Sequence, residues 1–433
     1  MVVDFKGYAL SVSAAAALLA GCGGSQPSVL SGRPDLPPLA GSPLAKPALA
    51  KPLAGYGSLY GFQANPDGQN PDARVIPFDG DLYGSTTVGG GAGCGGKGCG
   101  TIFKVTKDGS ESVLHRFAGR PDGEDPQAEL AVVNNLLYGT TYYGGERCKD
   151  ANVRGCGIVF SVGPSGGMSA VYAFTGGYDG ANPEGPLTLV NRTLYGTTVS
   201  GGGIRCRDSK NGCGVVYSIS PSGEERVVYR FKGQPNDGSA PTGNLVDLNG
   251  TLYGTTTYGG RFDDGTIFAI SPAGRERVVY SAGQAYDMST PSGLVAMDGI
   301  LYGTSEFGGR RSGGTVYAVT ISGSEHVVHS FSQNETLDGY RPVGRLIAVD
   351  GLLYGATEYG GNKHSGYGVV YSTNTYGYVN VLYRFKGLPD GEYPASGVSD
   401  VGPTLYGTTL LGGTGCYHYG CKGGYGTVYR LAR

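Results

Sequence analysis

The side chains with the widest chemical reach in this 433-residue chain are nine cysteines. Eight of them fall into close pairs: Cys94 and Cys99, Cys148 and Cys156, Cys206 and Cys213, Cys416 and Cys421. Paired thiols can hold a metal or oxidise. No pair has the two-residue spacing of a zinc site, and only His418 lies between partners, so no metal is expected. Residues facing each other across an antiparallel hairpin have Cα atoms ~4.5–5.5 Å apart, within disulfide reach. Each pair therefore predicts a local disulfide. Closing loops this short contributes roughly 2–3 kcal/mol apiece on the chain-entropy model.

Other motifs with a chemical look dissolve in context. Gly91 to Gly96 matches Gly-x-Gly-x-x-Gly, but with 81 glycines in the chain about three such matches arise by chance. No helix follows to receive a phosphate. Gly163 to Gly167 matches a hydrolase elbow, yet its counterparts are Ser-Pro-Ser-Gly turns, and an elbow needs a strand-to-helix corner. Asp67, Asp122, Asp179, Asp237, Asp338 and Asp390 each precede Gly. This is turn chemistry, whereas calcium needs several converging oxygens. The histidines (His115, His326, His329, His364, His418) lack metal-type spacing, and His115 and His329 read as packing residues. No cofactor is expected.

The elements that position these residues begin with an address. Tyr8 to Ala20 is apolar but too short to cross a bilayer, which takes about 20 residues. It ends Leu19-Ala20-Gly21-Cys22, which resembles the lipobox of bacterial lipoproteins. That resemblance implies a signal peptide over 1–21, a lipidated Cys22 and, with Gly23 following, an outer-membrane rather than an inner-membrane destination. Residues 22–56 carry seven prolines (Pro27 to Pro52) and no apolar period, so they read as an extended tether.

The rest is repetition. Leu-Tyr-Gly-Thr-Thr or a near variant recurs with its Tyr at 83, 138, 195, 253, 302, 354 and 406. Gly-x-(Val/Ile)-(Phe/Tyr) follows each copy, at Phe103, Phe160, Tyr217, Phe268, Tyr317, Tyr371 and Tyr429. A third motif, Val-Leu-Tyr-Arg-Phe, is clearest at Val381 to Phe385, degrades at Val278 to Ala282, and first occurs at Ser58 to Phe62. A fourth follows an Asp-Gly turn and a Pro, as in Pro186 to Val190. Four short β-rich runs per ~50-residue unit predict an all-β, seven-bladed β-propeller of four-stranded antiparallel blades over 57–433. Leu-Tyr-Gly-Thr-Thr, small and crowded, is expected innermost. Arg116, Arg230 and Arg384 suit an outer strand. The two N-terminal strands would then complete the blade begun by the last two, removing a sheet edge. The chain is read as a monomer.

These runs resemble the GloVer tandem repeat of "choice-of-anchor" bacterial surface proteins. The resemblance rests on Leu-Tyr-Gly-Thr-Thr-x-x-Gly-Gly, Gly-Thr-Val-Tyr and Asp-Gly-x-x-Pro, covers about 57–431, and implies surface display through a variable tether but no known activity.

Two sets of connections, short Asn-Gly or Asp-Gly pairs and Ser-Pro-x-Gly turns, share one face. The other face has the Asp-Gly-x-x-Pro loops and the loops after Gly-Gly, which hold 9, 11, 11, 4, 4, 6 and 12 residues in order. All four cysteine pairs fall in the long ones, which would be neighbours in a closed ring. The same loops hold Lys97, Arg147, Lys149, Arg154, Arg205, Arg207, Lys210 and Lys422 against Glu146, Asp150 and Asp208, on a chain whose net charge is −2. That overall balance excludes a nucleic-acid coat. The local excess points to an anionic partner: an acidic glycan, a lipid headgroup or an acidic protein. The expected function is a lipid-anchored cell-envelope binding or scaffolding module, with a glycan-active lyase or hydrolase as the alternative. An enzyme needs acids, His or Tyr converging on the axis from several blades. No such unrepeated constellation stands out, and zero Trp argues mildly against sugar stacking.

Overall fold

The computed structural model describes residues 55–433, except 64, 147, 149–153, 207–210, 285, 334–335, 363–365 and 415–422. They form seven small antiparallel sheets in a ring, a seven-bladed β-propeller. The first blade, from inner to outer strand, is Ile76–Phe78, Asp81–Thr86, Thr101–Val105 and Glu111–Arg116. In blades 1 to 6 the inner and second strands meet in two-residue hairpins with both residues left-handed, as at Asn134 (φ 49°) and Asn135 (φ 63°). That twist matches the strands they join.

The Leu-Tyr-Gly-Thr-Thr run is the second strand, not the innermost. Its glycine is small for a different reason than crowding at the axis. It lies opposite the aromatic residue of the third strand in every blade, as Gly84 opposite Phe103 and Gly196 opposite Tyr217. A Cβ on Gly139 would stand 2.5 Å from the Phe160 ring. The innermost strand is the short fourth motif. Arg116, Arg230 and Arg384 do lie on outermost strands.

Closure also differs from expectation. One N-terminal strand, Gly57–Gly61, pairs with Thr427–Ala432 and completes the seventh blade from outside. The other three strands of that blade come from the C-terminus.

Two devices lock neighbouring blades. The outer-strand Phe packs edge-on against the third-strand ring of the next blade: Phe62 on Phe103, Phe117 on Phe160, Phe174 on Tyr217, Phe231 on Phe268, Phe331 on Tyr371 and Phe385 on Tyr429, with centroids 5.0–5.3 Å apart. Such edge contacts add ~0.5–1.5 kcal/mol beyond the area they bury. The fourth junction lacks the Phe: there Ala282 and Met288 are buried together with Tyr317.

The second device uses the Asp of the Asp-Gly turn, or of Asp287-Met288 at the fourth junction. It accepts from the outer-strand Tyr: Tyr60 to Asp67 (2.8 Å), Tyr172 to Asp179 (3.0 Å), Tyr229 to Asp237 (2.8 Å), Tyr280 to Asp287 (2.7 Å) and Tyr383 to Asp390 (2.8 Å). His115 and His329 take the Tyr slot, 3.1 Å from Asp122 and 2.9 Å from Asp338. The same carboxylates accept backbone N–H groups, as Asp67 does from Gln63 and Gly68. These aspartates are turn and junction residues.

Candidate functional site

The loops after Gly-Gly and the Asp-Gly loops share one face. On it three disulfides close: Cys94–Cys99, Cys148–Cys156 and Cys206–Cys213, with Cα atoms 5.3, 5.2 and 5.1 Å apart. Each sits against the Asp-Gly connection of its own repeat; a Cβ on Gly233 would come within 3.3 Å of both sulfurs of the Cys206 pair. Cys416 and Cys421 lie outside the described residues, as does Cys22. The three bridges fit an exported, oxidising environment.

Between the stapled loops of blades 2 and 3 lies a cleft of about 840 Å³. Tyr142, Tyr143, Asn182, Ser200, Ile204 and Arg205 line it. Asn182 holds the wall together by donating to the Tyr142 carbonyl and accepting from Ser200. Burial, then the Glu184 carboxylate, raises the Tyr142 phenol, so it stays a neutral donor at any ordinary pH. Arg154 lies 4.4 Å over the Tyr143 ring and pairs with Glu124. Arg205 stands exposed on the rim.

Of the eight basic residues expected here, Lys97, Arg154 and Arg205 are described and lie on this face; Arg147, Lys149, Arg207, Lys210 and Lys422 are outside the described residues. Arg154 is partly neutralised by Glu124, a residue of the neighbouring Asp-Gly loop.

The axis holds a constellation that sequence reading passed over. The residues just before each inner strand converge from all seven blades on a cavity of about 260 Å³. Each segment follows a proline whose ring fills the space beside a third-strand glycine of the preceding blade, as Pro183 does at Gly157. This fixes the backbone at the axis. Across it, Glu129 accepts from Arg74 Nη2 (2.7 Å) and from Arg345 Nη2 (2.8 Å) and Nε (3.2 Å). Burial opposes the charge on Glu129, but the two guanidiniums outweigh it and hold the carboxyl below its ordinary range. Arg74 also donates to the Val398 carbonyl (3.0 Å). Asn244 bridges to the next blade through both N–H and C=O of Leu294.

Asp72 and Glu184 line the same cavity. Burial, then Asp125 and Glu358, pushes Asp72 up to about 7. Burial, then Asp72 and Asp125, pushes Glu184 up to about 7. Asp125 is pushed up to about 6 by burial, against a hydrogen bond from Gln127. The signal that could have found Arg74, Glu129 and Arg345 is a break in the repeat. Eight places before the Leu of each Leu-Tyr-Gly, where everything around recurs, the residues are Arg74, Glu129, Pro186, Asn244, Gly293, Arg345 and Gly397.

A model of the Gloeobacter/Verrucomicrobia repeat matches residues 50–207 and again 203–429. The chain belongs to that repeat family. Its fold is shared with virginiamycin B lyase from Staphylococcus aureus, at 14% identity and a TM-score of 0.54, over 87% of this chain and 99% of that one. The WD40 β-propeller domain of Doa1 is similar at 11% identity and a TM-score of 0.50, over 87% and 97%. At such identities the likeness speaks for the propeller alone. No curated protein sequence matches the chain. Membership in the repeat family accounts for the seven-fold motifs.

Proposed function

We propose that this member of the repeat family is an exported envelope protein whose propeller binds an acidic glycan on its long-loop face. The observation that carries the reading is the cleft between blades 2 and 3. It combines aromatic faces (Tyr142, Tyr143), an amide (Asn182), a hydroxyl (Ser200) and a guanidinium (Arg205) in one groove of about 840 Å³. Aromatic faces stack on sugar rings, amides and hydroxyls satisfy sugar hydroxyls, and Arg pairs with carboxylates in a two-pronged geometry. Disulfides on both walls pre-organise the groove, which lowers the ordering cost of binding.

The N-terminal features complete the proposal. A lipid on Cys22 would hold the molecule at the outer membrane, and the Pro-rich stretch to residue 56 would lift the propeller clear of it. Two acyl chains or more give stable anchoring where one does not.

The test is binding of uronic-acid polysaccharides and matched neutral polysaccharides to the full chain and to a variant with alanine at Arg147, Arg154, Arg205 and Arg207. The expected outcome is acid-selective, salt-sensitive binding that weakens about 10-fold or more in the variant, since exposed charge contacts each supply ~0.2–1 kcal/mol. Unchanged binding in the variant, or selection of an acidic protein instead of glycan, contradicts the proposal. Breakdown of the bound polysaccharide would move the assignment to a lyase or hydrolase.

A further inference from the structure

The axial cavity is separate from the loop cleft, and its lining has a chemistry of its own. In a seven-fold ring each blade presents the same backbone to the axis. The Leu-Tyr-Gly glycine, the third-strand aromatic and the junction proline accordingly recur in all seven. The side chains at the axis, by contrast, differ from blade to blade. An uneven lining in an even scaffold suits an occupant that is itself uneven.

The unmatched groups describe that occupant. Asp72 and Glu184 face the cavity, and among the described residues neither has a hydrogen bond or an ion pair. Each feels the other carboxylates around it, and among the described residues no ion pair answers them, because Arg345 and Arg74 are engaged with Glu129. Arg74 is 8% exposed, and its Nε carries a proton with no acceptor. Thr242, Ser292 and Ser396 add hydroxyls to the wall. The cavity thus offers two free carboxylates, one orphaned donor and a set of hydroxyls, in about 260 Å³. Among the described residues no three acids, histidines or cysteines converge to hold a metal ion. An anion would meet more carboxylates than free guanidinium.

We propose that the axial cavity binds a hydroxylated primary amine of monosaccharide size, an amino sugar, with its ammonium at Asp72 and Glu184 and a hydroxyl oxygen at Arg74. The ammonium supplies the missing positive charge, and the ring hydroxyls match the polar wall. With both carboxyls pushed up to about 7, each is part-protonated at neutral pH, and pairing with an ammonium displaces those protons. The proposal does not depend on the glycan reading of the loop cleft.

Calorimetry on the full chain with glucosamine, N-acetylglucosamine and glucose, in two buffers of different ionisation enthalpy, tests it. Glucosamine should bind saturably with proton release, and the other two sugars about 10-fold or more weakly, the range expected for hydrogen bonds to charged groups. Asp72→Asn and Glu184→Gln should each weaken glucosamine similarly while the thermal midpoint holds or rises, because each removes carboxylate repulsion. Equal affinity for the acetylated or neutral sugar, indifference to both substitutions, or no saturable binding of glucosamine overturns the proposal.

Discussion

Glu129 and Arg345 are 216 residues apart in sequence and meet across the axis of the ring at 2.8 Å. Arg74 joins them from a third blade at 2.7 Å. A buried pair of this kind is not proof of stability in itself, since desolvation offsets much of the attraction. Breaking it is another matter.

Glu129→Gln leaves Arg74 deeply buried with no counter-charge. Removing one partner of a buried pair costs ~3–5 kcal/mol. Arg345→Gln should cost less, because its side chain is 32% exposed against 9% for Arg74. Chemical denaturation of both variants reads the order; a larger loss for Arg345→Gln contradicts it.

The blade 4–5 junction carries a compensated exchange. Where the other junctions have Phe and Gly, this one has Ala282 and Met288, both fully buried. Ala282→Phe alone overpacks the site at ~1–3 kcal/mol. Met288→Gly alone opens a cavity and costs at least ~2 kcal/mol. The double variant should recover most of both losses, and strict additivity in a double-mutant cycle would show that the two residues do not share one space.

Several carboxyls are raised, each chiefly by burial: Asp72, Glu111, Glu184, Glu225 and Glu276 to about 7, and Asp125 to about 6. The outer-strand members also face the junction aspartates, Glu111 beside Asp67, Glu225 beside Asp179 and Glu276 beside Asp237. The folded chain therefore holds protons that the unfolded chain has already released above its carboxyl values near ~4. Their contribution is fully present below those unfolded values and is lost as pH rises through about 7. The thermal midpoint at pH 5.5 should exceed that at pH 7.5, and Glu225→Gln with Glu276→Gln should flatten the difference. A midpoint that rises across this window contradicts the assignment.

Reduction should loosen the long-loop face without unfolding the ring. Each bridge closes a loop of fewer than ten residues, worth roughly 2–3 kcal/mol on the entropy model. Proteolysis of the Cys206→Ser, Cys213→Ser variant should cut first between residues 203 and 213. First cleavage within the sheets would place the bridge in the core instead.

The sequence was most informative where residues repeat. The aromatic of Gly-x-Val-Tyr and the junction Pro each mark a contact made seven times, and the Asp of Asp-Gly one made six times, so blade number, outer strand and loop face could all be read. Strand order was harder. Gly84 announces that something approaches its backbone closely, but not that the approaching group is the Phe103 ring rather than the axis. The strand that closes the ring was similarly ambiguous, because Ser58 to Phe62 pairs with a segment nearly four hundred residues away. The axial residues were invisible for the opposite reason: a search for sameness discards Arg74, Glu129 and Arg345, whose meaning lies in being different.

The central claim is that recognition takes place on the long-loop face, at the cleft between blades 2 and 3. Hydrogen exchange on the full chain, with and without a saturating uronic-acid polysaccharide, tests it most directly. Slowed exchange at 142–145, 154–156, 181–182 and 200–206, with none at the opposite hairpins around Asn134, Asn249 and Asp350, is the predicted result. Slowed exchange at those hairpins, with the cysteine loops unaffected, would contradict the account.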